Sequence, residues 1–262
     1  MSAQRHLKFA TLLLTGSITM EITLLAGLFP VNDLIYHGLH LALMAALITS
    51  QWMVFRSAAP QDPRRWLAFC FALGAMFTAV GDYVNSAVSA VQPVSLKLTW
   101  AMLLFGVGYT LYSVALWKHS RDAVKPAAPG KLRPAYWMVL PVLAVNVQSW
   151  FQHVEPLLHG LDVLYYGTFV FNATIYVLMP VYAFWFFLNS RQSIGSLLVL
   201  CGALLIPYSD LILFASWLKG NPAVPEFPLY AFNWILYFGG QVLISLFPAL
   251  ALQAANQTDG VK

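Results

Sequence analysis

Gly74-Ala75-Met76-Phe77-Thr78-Ala79-Val80-Gly81-Asp82 and Gly202-Ala203-Leu204-Leu205-Ile206-Pro207-Tyr208-Ser209-Asp210 share one layout. Each begins with a Gly-Ala pair and places an aspartate eight residues after the glycine. Each lies inside a long apolar run with no other charge. An ionised carboxylate at membrane depth is expensive unless it is paired or faces an internal cavity. Two such residues in matched contexts point to a shared site.

The apolar context decides the fold class. Hydrophobic residues make up 60% of the chain and charged residues 9%, against roughly 25% charged in soluble domains. The sequence predicts an all-α integral membrane protein with eight transmembrane helices, at 8–29, 34–55, 66–90, 98–117, 134–150, 163–188, 194–217 and 229–253. Each run is long enough to cross a bilayer core as a helix. The strands of a membrane barrel would instead show short alternating segments. The first run is too long for a signal-peptide core, contains Glu21 and lacks a small-x-small cleavage pattern, so it reads as the first span.

Lysine and arginine orient the helices. With eight spans, Arg5, Lys8, Arg56, Arg64, Arg65, the basic residues of the 118–133 loop, Arg191 and Lys262 fall on one side. Lys97 and Lys219 fall on the other. The bias predicts that both termini are cytoplasmic, in a multi-pass protein of a bacterial inner membrane. Tryptophans near the helix ends agree with the borders. The net charge of +4 therefore concerns topology and anionic headgroups, and gives no argument for nucleic acid. Cys70 and Cys201 lack the spacing of a zinc or redox site and read as packing residues.

The chain reads as one polytopic domain built from a tandem repeat of four helices, 1–117 and 134–253, joined by the cytoplasmic loop 118–133. Asp82 and Asp210 are 128 residues apart, and Gly108-Tyr109 matches Gly240-Gln241 at an offset of 132. Parallel repeats build sites at the interface of their halves. Asp82 and Asp210 each fall about sixteen residues into an outward-running helix, and at a rise of roughly 1.5 Å per residue they share a depth. Tyr109, Gln241 and Glu21 fall near the same level, with Asn85 one turn beyond Asp82. These polar groups suggest a pocket opening outward or into the outer leaflet. His37 and His40 share a helix face and suit either a metal ion or an interfacial position. Glu21, Tyr208, Ser209, Asn172 and Tyr165 also suit interhelical hydrogen bonding.

Val80-Gly81-Asp82, then Phe105 to Tyr112, then Gly202 to Asp210, then Tyr237 to Ile244 together resemble the YhhN-like lysoplasmalogenase family. The resemblance covers spans three, four, seven and eight. A histidine common in the family is replaced by Tyr109, and a Lys-Pro pair of its second span is missing, with His37-Gly38-Leu39-His40 in that helix. The chain is thus similar to a divergent member. The resemblance implies cleavage of the vinyl ether of a lysoplasmalogen-type lysolipid, without a cofactor, to a fatty aldehyde and a glycerophospho-head group. Two carboxyl groups suit that chemistry. Protonating the β-carbon gives an oxocarbenium ion, and a carboxylate stabilises it while water adds, as in glycoside hydrolysis. Two buried carboxyl groups in one site do not both carry charge cheaply, so one keeps its proton. Asp82 and Asp210 are the expected acid–base pair. Tyr109, Ser209, Gln241, Asn85, Tyr237 and Glu21 are candidates for holding water or substrate.

Two other classes remain open. Glu21, His37, His40, Asp82 and Asp210 could build a metal-dependent lipid hydrolase. A proton-coupled transporter of lipids or small molecules would also place acids at a repeat interface. The oligomeric state is not readable from the sequence.

Overall fold

The computed structural model describes residues 3–27, 33–86, 91, 93–122, 137–158, 160–190, 192–218 and 227–259. These are helical almost throughout, with no strand among them. In chain order the helices are α1 (Ala3–Leu25), α2 (Asp33–Ser57), α3 (Arg65–Asn85), α4 (Val94–Asp122), α5 (Val139–Ser149), α6 (Asp162–Asn189), α7 (Ile194–Leu218), α8 (Phe227–Ile244) and α9 (Phe247–Asp259). Seven helical segments are long and apolar enough to cross a membrane: α1 to α4, α6, α7, and α8 continued into α9.

The fifth expected span, 134–150, differs from the other seven. Residues 134–136 lie outside the described segments. α5 has 11 residues, about 16 Å at the α-helical rise, against a hydrocarbon core of about 30 Å. A wider π turn over Trp150–Val154 and a tighter 3-10 turn over Glu155–Leu157 carry the chain on. Pro156 has no N–H with which to continue the α-helical ladder. None of the α5 residues is buried. α5 packs along α6, where Asn146 Nδ2 donates to the Tyr176 carbonyl at 3.3 Å, and in the following turn buried Trp150 donates from Nε1 to Thr168 Oγ1 at 3.0 Å.

The long helices close on themselves. α2 packs on α3, α3 on α4, α4 on α6, α6 on α7 and α7 on α8, and α1 completes the ring by touching both α8 and α2. Trp234 of α8 donates to Ser17 of α1 at 3.2 Å. The eighth expected span, 229–253, is divided at Ser245–Leu246. Pro248 lacks the N–H that would bond to Ile244, and its ring crowds that carbonyl. At the break, the Ser245 carbonyl oxygen accepts from Gln51 Nε2 at 3.3 Å and lies 3.0 Å from His6 Nε2. α3 also stops short of its expected end at residue 90. Ser86 turns to extended backbone, and both its N–H and its hydroxyl bond to the Tyr83 carbonyl, the local competition that serine offers a helix end.

Two glycine crossings set the closest approaches in the bundle. A Cβ on Gly74 would stand 2.9 Å from the Gly108 oxygen, and one on Gly108 would stand 2.8 Å from the Gly74 oxygen. On the other side, a Cβ on Gly202 would stand 2.7 Å from the Gly240 oxygen, and one on Gly240 would stand 3.1 Å from the Gly202 oxygen. Backbones this close admit no side chain, the small-residue mode of helix association in membranes. α3 is thereby locked to α4 and α7 to α8, and the two aspartates lie eight residues along from Gly74 and Gly202.

Candidate active site

Asp82 lies one turn before the end of α3, and Asp210 lies within α7. Each carboxylate is held by tyrosines from outside its own locked helix pair. Tyr237 of α8 donates to Asp82 Oδ2 at 2.9 Å. Tyr109 of α4 and Tyr176 of α6 both donate to Asp210 Oδ2 at 2.8 Å. A further bond crosses the same interface, from Tyr112 of α4 to Gln241 Oε1 of α8 at 3.0 Å. Phe105 stacks on Tyr109 at 5.8 Å between ring centroids and meets Tyr237 edge-on at 6.0 Å. It lies against Gly81, where a Cβ would be 3.0 Å from its ring. Gly81 therefore makes room for the aromatic wall beside Asp82.

Both carboxylates line one cavity with His37, His40, Asn85, Ser86, Asn233, Trp234 and Tyr237. A second cavity, lined mainly by α4, α6 and α7, adjoins it. Asn85, Phe105, Asp210 and Leu213 belong to both walls. Asp210 thus stands where a polar chamber meets an apolar one.

Behind the polar chamber is a second buried cluster. Glu21 of α1 is fully buried. Its Oε1 lies 2.7 Å from His40 Nε2, and its Oε2 accepts from the Tyr36 hydroxyl at 3.0 Å. The His40 ring stacks on Trp234 with centroids 3.7 Å apart and planes within 6°. His37 and His40 are both buried within the bundle. Glu21 reaches across from α1 and holds His40 toward the cavity. Among the described residues, no group of three or more His, Cys, Asp or Glu side chains has an arrangement that could hold a metal ion.

The other sequence candidates divide by position. Asn85 lines both cavities and Tyr237 lines the polar one. Tyr109, Ser209 and Gln241 are fully buried outside both linings. Tyr109 supports Asp210 from behind, Gln241 is tied to Tyr112, and Ser209 Oγ makes no hydrogen bond.

Two residues of the site escaped the sequence reading. Tyr176 lies in an apolar stretch of α6, a helix outside the recognised motifs, and no pattern marks it. Asn233 lies four residues before Tyr237, so both fall on one helix face, and that spacing was a usable signal. Asn85 and Asn233 are both buried, and the Oδ1 of each has no hydrogen-bond partner. Buried polar atoms normally find partners. Two amides left open on a cavity wall are suited to a hydroxyl-bearing guest or to water.

Residues 35–247 match the family described as YhhN. That stretch takes in both aspartates and every cavity-lining residue, His37 and His40 among them. No curated protein matches the chain, and no solved structure does.

Proposed function

The chain belongs to the YhhN family, and from that premise we propose that it is an intramembrane hydrolase of lysoplasmalogen-type vinyl ethers. The observation that carries the reading is the shared cavity. Two carboxyl groups line one shared cavity, and each is oriented by tyrosine hydroxyls from other helices.

The roles follow from the hydrogen bonds. Asp210 accepts two hydroxyl donors and Asp82 accepts one. Hydrogen bonds to a charged acceptor are stronger than those to a neutral one, so Asp210 is the carboxylate and Asp82 the acid. Asp82 protonates the β-carbon of the vinyl ether, and the electron pair of the C=C bond forms the new C–H bond. The α-carbon and ether oxygen then share the positive charge, which Asp210 offsets. Water adds to the α-carbon while Asp210 takes its proton. The hemiacetal collapses to a fatty aldehyde and the glycerol hydroxyl, with one water consumed. Asn85 and Asn233 hold the water or the glycerol oxygens at their open amide oxygens.

The topology belongs to the same proposal. Eight crossings with both termini cytoplasmic follow from the lysine and arginine bias, with the segment around α5, its π turn and 3-10 turn as the fifth. A tandem repeat is supported by the paired glycine crossings, Gly74 with Gly108 and Gly202 with Gly240. The cavity then lies between the halves, and the partner is a lysolipid drawn from the bilayer. The test is detection of free fatty aldehyde from a lysolipid panel incubated with purified protein in detergent. Release from the vinyl-ether lysolipids alone supports the reading. Absence of aldehyde from every vinyl ether overturns it.

A further inference from the structure

We propose that the apolar cavity between α4, α6 and α7 seats one hydrocarbon chain, and that this chain enters sideways from the bilayer between α4 and α6, past Met102 and Phe171. The proposal rests on the lysolipid reading and assigns the substrate's two ends to two chambers.

The first observation is the contrast across Asp210. On one side are Asp82, His37, His40 and Asn233, with Asn85 shared between the two walls. On the other side the wall is largely hydrocarbon and aromatic, including Leu98, Ala101, Met102, Phe171 and Phe214. The first chamber offers hydrogen-bonding groups to a glycerol hydroxyl, and transfer of a chain from water into the second is favourable. Because the polar chamber takes up the other flank of Asp210, the carboxylate meets one apolar chamber and so one chain.

The second observation is a route. An open groove runs along the outer face between α4 and α6. Its exposed walls include Leu103 and Val107 on α4, and Tyr166 and Val170 on α6. Met102 and Phe171 line both this groove and the inner cavity. They form the partition between them.

The third observation explains why the partition is thin. Each of these side chains is seated on a glycine of the opposite helix. A Cβ on Gly167 would meet Met102 Cε at 2.5 Å, and one on Gly106 would meet Phe171 Cε2 at 3.0 Å. Met102 and Phe171 are the side chains common to both walls. One is methionine, whose unbranched thioether adapts readily to a changing space. Their movement opens the cavity to the acyl region while α4 and α6 stay in place.

The probe is a lysophosphatidylcholine whose single acyl chain ends in a diazirine, bound to the full-length protein in lipid nanodiscs. It has no vinyl ether and is not consumed. Photolysis followed by peptide mass spectrometry locates the chain, with excess unlabelled lysolipid as competitor. The expected adducts fall on Leu98, Ala101, Phe105, Asn172, Leu211 and Phe214, which line the inner cavity and not the groove, and are competed away. Ala101→Phe, which fills the cavity, lowers them about tenfold, the effect of overpacking a fitted pocket. Adducts on α2 and α8 would put the chain in the polar chamber and overturn the proposal. Adducts confined to Leu103, Val107 and Val170 and insensitive to competitor mean annular lipid only, and also overturn it. Labelled cavity peptides without aldehyde release from a vinyl ether leave the chain seat standing and remove the hydrolase reading. Aldehyde release without cavity adducts removes the chain seat alone.

Discussion

Replacing Tyr109 and Tyr176 by phenylalanine probes how Asp210 keeps its charge. Both hydroxyls reach the same oxygen, Oδ2, at 2.8 Å. Phenylalanine keeps the ring, so the Phe105–Tyr109 stack and the Phe171–Tyr176 edge contact at 4.9 Å survive. A hydrogen bond to a charged group contributes about 1.5–3 kcal/mol. At about 1.4 kcal/mol per factor of ten, each single substitution lowers kcat/KM roughly 10- to 150-fold. The double variant falls below either single one, because the first loss still leaves Oδ2 a donor. Tyr237→Phe removes a donor from neutral Asp82, where about 0.5–1.5 kcal/mol is at stake, and costs less. The assay is aldehyde release from a lysoplasmalogen by variants with unchanged size-exclusion profiles. Activity within about twofold of wild type for both Tyr109→Phe and Tyr176→Phe would refute the assignment, each hydrogen bond then contributing less than that range. So would Tyr237→Phe being the most damaging of the three.

Reporter fusions after Trp150 and Trp217 read as external and one after Lys118 as cytoplasmic; a cytoplasmic signal at either of the first two positions overturns the eight-span topology. Gly202→Val pushes a side chain into the Gly240 oxygen and the Ile244 nitrogen, which a Cβ alone would approach to 2.5 Å. It lowers thermal stability in detergent by about 1–3 kcal/mol or more, and an unchanged melting point would contradict the tight crossing. Activity survives EDTA; loss on chelation with recovery by one divalent ion would instead favour a metallohydrolase.

Much of the fold was legible because a bilayer leaves few options. Long apolar runs with almost no charge read as helices, and the structure keeps seven of them close to their expected ends. The misfits have local causes. At the expected end of the fifth span α5 widens into the π turn at Trp150, and Pro156 keeps the α-helix from resuming; Pro248 divides the eighth, and Ser86 ends the third early. Within the site, Asp82 and Asp210 announced themselves by charge, and Asn85 and Tyr237 by their spacing from the motifs. Tyr176 did not, because a tyrosine in an apolar helix looks the same whether it faces lipid or a carboxylate. Histidine posed the same difficulty. His37 and His40 near a helix start suited an interface, and only the packing of α1 shows Glu21 and Trp234 holding His40 inside. Rotation about each helix axis settles these cases, and it depends on neighbours far away in sequence.

The central claim is that Asp82 and Asp210 act together on one bond. The most direct test is aldehyde release by Asp82→Asn, Asp210→Asn and the double variant, each purified with an unchanged size-exclusion profile. Asparagine keeps the shape but supplies neither the acid proton nor the negative charge. Each single variant is expected to lose about 10²–10⁴-fold in rate, the usual cost of losing a general acid or base. The double variant is expected to be little worse, because groups that act as one unit do not add. Full activity in either single variant would contradict the paired-carboxylate account.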